Sequence, residues 1–154
     1  MALSANVSGV IWIPDGEDRQ CCPATNGVTF YAPGLMMIDT ATGYMVKPAN
    51  TSTFRFLGIL ERKVVGDTTA SPVPEGEVNV GGGTLKAITV TGVSAITHNG
   101  DPVYPTNGDD DPRTMKIATE SNLKPFGYIR RWYSGTTCDV AIRSHKHYMS
   151  EHPV

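Results

Sequence analysis

No run of this sequence approaches the ~20 consecutive apolar residues of a membrane-spanning helix. Charge is also sparse: Asp, Glu, Lys and Arg make up 18% of the 154 residues, and the net charge is −2. Such a balance gives no basic surface for recruiting nucleic acid or an anionic membrane, so neither is expected as a partner. Cysteine is scarce too. Three residues, two of them adjacent at Cys21 and Cys22, do not make a disulfide framework. Reduced thiols in a chain made in the cytosol are expected. The opening "MALSANVSGVIWIPDGEDRQ" lacks a basic region followed by a long apolar run, so no secretory signal is expected. Without a secretory route the glycosylation patterns at Asn6 and Asn50 carry no weight. Apolar spacing of the i, i+3, i+4, i+7 kind is never sustained beyond two turns, which leaves helix a minor part.

What the chain does have is 16 glycines, 11 prolines and 40% hydrophobic residues. Frequent Gly and Pro with little charge suit short strands joined by many turns. A chain of this length is one ordinary domain or two small halves packed together, and it buries roughly 70% of its unfolded surface without needing staples.

The clearest internal signal is a repeat. "FRFLGILERK" (residues 54–63) is echoed by "KPFGYIRRW" (residues 124–132): an aromatic shortly before a glycine, then an apolar residue and a charged end containing Arg. Aligning Gly34 with Gly100 extends the likeness. A short apolar strand follows each glycine, then a turn, then a strand ending in Ala49 or Ala118, then the aromatic–glycine strand. Each copy is expected to finish on a closing strand, "GTTCDVAIRS" in the second. In the first, an insertion over residues 64–77 precedes "VNVGGGTLKAITVTG", where Leu85 and Ile88 to Val90 carry the β-branched signal. The expectation is an all-β fold: a small barrel or sandwich of two similar units, about 34–92 and 93–144. A half-sheet has one apolar face that needs a partner, and closure removes exposed edges. Gly58 and Gly127 are the structural glycines, where a strand bends or a backbone approaches closely. Residues 1–33 read as an arm with a strand-like segment, added to this domain or to a neighbour. Residues 145–154 read as a polar tail.

No pattern points firmly to chemistry. Gly81 to Gly83 do not open a helix with Gly-Lys-Ser/Thr, and they read as a flexible hairpin tip. "NGDDD" (107–111) lacks the ligand spacing of a calcium loop and reads as a solvated turn. His145 and His147 would share one face of a strand, a workable geometry for two imidazole ligands, but a frayed polar end is the simpler reading. Signatures of a nucleophile elbow or a zinc protease are missing. Neither an enzymatic role nor a cofactor is expected.

The matching positions Gly100, Asp101, Val103, Ala118, Pro125, Gly127 and the Val140/Ile142 strand form a pattern: Gly-Asp-x-Val, an alanine-ended strand and Pro-x-Gly-hydrophobic. This pattern resembles the small capsid decoration (cement) proteins of tailed bacteriophages, over roughly residues 34–143. The 64–77 insertion and the leader depart from it. The resemblance implies a structural protein of the virion: a homotrimer on the outer surface of an icosahedral head, clamping the major capsid protein. On that reading Val10, Ile11, Trp12 and Ile13 of the arm are the expected coat contact, and Trp132 and Tyr133 are candidates for a trimer interface. Filling this domain's own core remains open for all six, and Arg130 and Arg131 read as a solvated edge. The alternative function is a displayed module that binds glycans or a host surface through the 64–77 insertion and the Asp-rich turn.

Overall fold

The computed structural model describes residues 2–152, so Met1 of the expected arm and residues 153 and 154 of the expected tail lie outside the described residues. Twelve strands are described: β1 (Ile11–Pro14), β2 (Arg19–Pro23), β3 (Thr29–Phe30), β4 (Gly34–Asp39), β5 (Met45–Val46), β6 (Phe54–Leu60), β7 (Val64–Val65), β8 (Glu75–Asn79), β9 (Gly83–Thr89), β10 (Pro102–Val103), β11 (Gly127–Ser134) and β12 (Thr137–Ile142). One α-helix, α1 (His145–Glu151), follows them. The fold is all-β, with antiparallel pairing between its named strands.

Two five-stranded sheets run in the orders β1-β9-β12-β11-β10 and β2-β8-β6-β4-β5, and β3 pairs with β7 in a small third sheet. Neither large sheet closes into a barrel; each keeps two edge strands. One core lies between the large sheets. Leu35, Phe56 and Ile59 of the second sheet pack there with Leu85, Ile88, Ile129, Val140 and Ile142 of the first. A smaller core of Phe30, Met36, Leu57, Leu60 and Val78 lies on the other side of the second sheet. This explains the apolar run Phe56–Leu60: a strand covered on both faces has no solvent side to alternate toward. The two echoed aromatics meet: Phe56 and Phe126 stack with ring centroids 4.7 Å apart, and Tyr148 of α1 lies edge-on to Phe56 at 5.9 Å.

The two glycines of the echo occupy matching environments. A Cβ on Gly58 would stand 2.0 Å from the carbonyl oxygen of Asn79, whose residue pairs with Ile59. A Cβ on Gly127 would stand 2.3 Å from the carbonyl oxygen of Ala141, whose residue pairs with Tyr128. In both places glycine serves a close backbone approach by the next strand.

Several expectations need correction. The glycine strand β6 of the expected first unit is followed in its sheet by β8, while β9, with Leu85 and Ile88, lies in the sheet of β11 and β12. Of the two placements left open for the leader, the structure has the one within its own domain: β1 pairs with β9 and β2 with β8, and the ladder continues through Asp15 N–H to Gly82 O and Val80 N–H to Asp18 O. Gly83 is a strand residue between β1 and β12 rather than part of a flexible tip, and Gly82 has φ +82° against the Ile142 carbonyl.

The Asp-rich turn is buried rather than solvated. Asp109, Asp110 and Asp111 are 1%, 0% and 7% exposed. Asp110 accepts the Leu3 N–H at 2.8 Å and faces Lys47 Nζ at 3.6 Å. Burial pushes its carboxyl above the usual range, against the pull of those two groups. Low side-chain hydrophobicity misleads here because backbone capping, not transfer, decides the burial: Asp109 accepts the Asp111 N–H and Asp111 accepts the Arg113 N–H.

Residues 145–152 of the expected tail are not frayed. Ser144 caps α1 by accepting the His147 N–H, and Tyr148 is fully buried. On a helix, positions i and i+2 do not face each other. Thus His145 places Nδ1 2.8 Å from the Phe56 carbonyl oxygen, while His147 meets Glu151. Among the described residues no group of three or more His, Cys, Asp or Glu could hold a metal ion.

Gly58→Ala and Gly127→Ala should each cost about 3 kcal/mol or more, because the obstructing atoms are backbone. Gly16→Ala, which meets nothing within 4 Å, should stay within about 0.5 kcal/mol. Urea unfolding of the three variants checks this, and equal midpoints would contradict the close-approach account. The thiols supply a second check. Cys21 is exposed while Cys22 and Cys138 are buried, and burial, then the neighbouring Asp139, pushes the Cys138 thiol up to about 11. A thiol reagent should titrate one group per native chain and three after unfolding.

Candidate docking face

The outer face of the first sheet is built by alternation. In β1, Trp12 packs against the core while Ile11 and Ile13 stand 57% and 50% exposed on the other side. Residues directly opposite across strands share a face, so the row from Ile13 continues through Thr84, Ala141 and Tyr128. A second row runs from Ile11 to Lys86 and on to Asp139 and Arg131. Of the six exposed large apolar side chains among the described residues, four lie here: Ile11, Ile13, Tyr128 and Tyr133.

Three adjoining strands are irregular in the same place. β11 carries a register shift between Ile129 and Arg131, and β12 against β9 shifts between Cys138 and Val140. Opposite the second shift Ala87 has φ +47°, a left-handed conformation that costs an L-residue about 1–2 kcal/mol. Asp139 holds this region together. It is 3% exposed, and its carboxylate accepts from Lys86 Nζ (2.7 Å), the Ala87 N–H (2.8 Å) and the Tyr133 hydroxyl (2.7 Å). Burial works to raise this carboxyl, but those donors outweigh it and hold Asp139 below its ordinary value.

The bulge in β11 has a directional consequence. Successive strand residues normally point to opposite faces, yet Arg130 and Arg131 are both exposed between buried Ile129 and half-buried Trp132. Arg130 donates to Thr84 Oγ1 at 3.0 Å, and the Arg131 guanidinium lies 5.0 Å from the Tyr133 ring centroid. Two open depressions of about 370 and 490 Å³ adjoin on this face and share Asp15 and Arg130.

The expected site residues thus divide. Ile11, Ile13 and Tyr133 lie on the face. Val10, Trp12 and Trp132 pack against the core, and the Trp132 indole N–H donates to the Gly135 carbonyl. Strand addition by the arm takes place within this domain, through β9. The outer edge of β1 ends in Pro14, which has no N–H to offer a further strand. Sequence reasoning missed Asp139 and the paired orientation of the arginines. Alternation in "TCDVAI" places Asp139 outward, but nothing local signals that Lys86 and Tyr133 close over it. No protein-family model, curated protein or solved structure matches the chain.

The sign of the Asp139 effect is definite. A carboxyl depressed by folding adds stability above its ordinary value and loses it as pH falls through the folded value. Asp139→Asn should therefore cost about 1.5–3 kcal/mol near pH 7, with the gap to the native chain constant down to roughly pH 4 and closing below it. Urea melts from pH 7 to pH 3 measure this; a gap that widens on acidification would refute it.

Proposed function

We propose that this chain is a structural protein of a virion, a homotrimer that docks on the outer surface of an icosahedral phage head and braces the lattice of the major capsid protein. The observation that carries this reading is the β1 edge of the outer face of the first sheet, where Ile11 and Ile13 stand exposed side by side. Contiguous exposed apolar surface on a soluble fold marks an interaction site. The surface is also held stiff by the Asp139 bonds beneath it. A specific protein contact buries about 800 Å² per partner, and three such patches on one trimer reinforce one another by effective concentration. Modest contacts then suffice.

The two-unit reading belongs to the same proposal. It is supported by the stacking of Phe56 on Phe126 and by the matched close approaches at Gly58 and Gly127. Equivalent pairings support it too: β4 with β6 and β10 with β11, then β6 with β8 and β11 with β12. The role asks for a rigid body in the right place and assigns no catalytic residue or cofactor.

The glycan-binding alternative draws less support. Its Asp-rich turn is buried, and the 64–77 insertion begins in β7, paired with β3, and ends in β8.

The test uses an exposed position, since removing residues 1–13 would strip most of β1 and uncover Leu85 and its neighbours. Ile11→Asp should keep the fold and the trimer, yet bind purified undecorated phage heads at least about tenfold more weakly, as one apolar side chain loses its burial. Cosedimentation with a panel of such heads reads this. A native chain that binds none of the panel, or a variant that binds as well as the native chain, would overturn the docking reading.

A further inference from the structure

We propose that the Arg130–Arg131 end of the outer face receives the acidic turn Asp15–Asp18 of a second copy of this chain, making the contact that joins the subunits. This inference rests on the homotrimer of the proposed function and names the surfaces that form it.

The chain carries both halves of the contact, and each half is incomplete alone. On the receiving side, the bulge turns two consecutive guanidinium groups to the same face. Each is positioned by an uncharged partner, Arg130 by the Thr84 hydroxyl and Arg131 by the Tyr133 ring. The other cations of the face are already paired, Lys86 with Asp139 and Arg143 with Glu151. Among the described residues neither Arg130 nor Arg131 forms an ion pair. Both sit beside the depression that exposed Ile13 also lines.

On the donating side, the turn between β1 and β2 carries Asp15, Glu17 and Asp18. All three are exposed, and none is in an ion pair among the described residues. The turn is held firmly by its backbone: Asp15 N–H to Gly82 O, Val80 N–H to Asp18 O, and Asn79 Nδ2 to Gly16 O. It is a rigid acidic knob. Asp15 borders the same depressions as Arg130, and among the described residues the two form no ion pair within one chain. The complement that would satisfy the arginines is therefore the knob of a neighbour.

Knob and seat adjoin on one face but use different residues, so each copy gives one and receives one. Such a heterologous contact closes when the rotation between copies closes, as three copies about a threefold axis do. Side-by-side placement on one face brings both surfaces close to that axis. Guanidinium and carboxylate groups bond in bidentate pairs, and their exposure makes the assembly sensitive to salt. The edge strand β1 lies about 14 Å from β11 across two intervening strands, which leaves Ile11 and neighbouring surface for the coat.

The experiment is a charge swap in the full chain, read by light scattering after gel filtration across dilutions in 50 mM and 500 mM NaCl. Arg130→Glu/Arg131→Glu should dissociate at concentrations at least about a hundredfold higher than the native trimer, and Asp15→Lys/Glu17→Lys should do the same. The chain carrying all four changes should recover the trimer. Circular dichroism of each variant confirms the fold. A reversed-charge variant that assembles like the native chain overturns the inference, and so does a four-fold variant that assembles no better than either pair. A native monomer that still cosediments with heads also overturns it while leaving head docking intact. A trimer that obeys the swap but binds no head has the opposite meaning.

Discussion

The stack of Phe56 on Phe126 is the contact on which the rest of this structure depends. Phe56 belongs to β6 in one large sheet, and Phe126 leads directly into β11 in the other. Tyr148 closes the group from α1, and the His145 imidazole reaches the Phe56 carbonyl. Sheet one, sheet two and the C-terminal helix meet at a single point. An offset aromatic pair adds about 0.5–1.5 kcal/mol beyond the area it buries, but its larger effect is geometric. With centroids 4.7 Å apart, the two glycine strands have one relative placement, and within each sheet the glycine separately lets its neighbouring strand pass at a distance no side chain permits.

The leader supplies the second tie. β1 and β2 run antiparallel to β9 and β8, and β8 and β9 are consecutive in the chain but lie in different sheets. The leader and the β8–β9 segment therefore form one ribbon that crosses from sheet to sheet, with Asp15 and Asp18 keeping its ladder unbroken at the crossing. A segment that reads as an appendage, because it lacks a repeat partner, is part of what holds the sheets together.

How much of this was legible depends on whether the cause was local. The all-β class could be read from the glycines, the prolines and the lack of helical spacing, since these act through backbone preference. The close backbone approaches at Gly58 and Gly127 were signalled by the echo around them. The fate of β9 was not: Leu85 and Ile88 suit a buried strand in either sheet, and only long-range pairing with β12 decides. The aspartates at 109–111 misled for a related reason. Their burial follows from turn bonds and from Leu3, more than a hundred residues away in sequence. "HKHYMSE" misled because seven residues offer too short a window for a helical period. Its capping Ser144 and single buried Tyr148 carry the signal. On the outer face, the exposed isoleucines follow from alternation, but the bulge that aligns Arg130 with Arg131 is a register property of paired strands.

That bulge row raises a physical question: why keep a left-handed alanine and a buried carboxylate on the solvent side of a sheet. Each is unfavourable in isolation. Ala87 would be relieved by glycine, and Asp139 loses hydration that only good donors replace. Together they offset each other, since the strained turn at Ala87 is what points its N–H at Asp139. With Lys86 and Tyr133 bound to the same carboxylate, the side chains around the arginines lose their freedom during folding rather than during association. A surface ordered in advance spends less of its contact energy on ordering when a partner arrives. For a protein whose proposed work is to hold its neighbours in place, such a face is more useful than a flat and unstrained one.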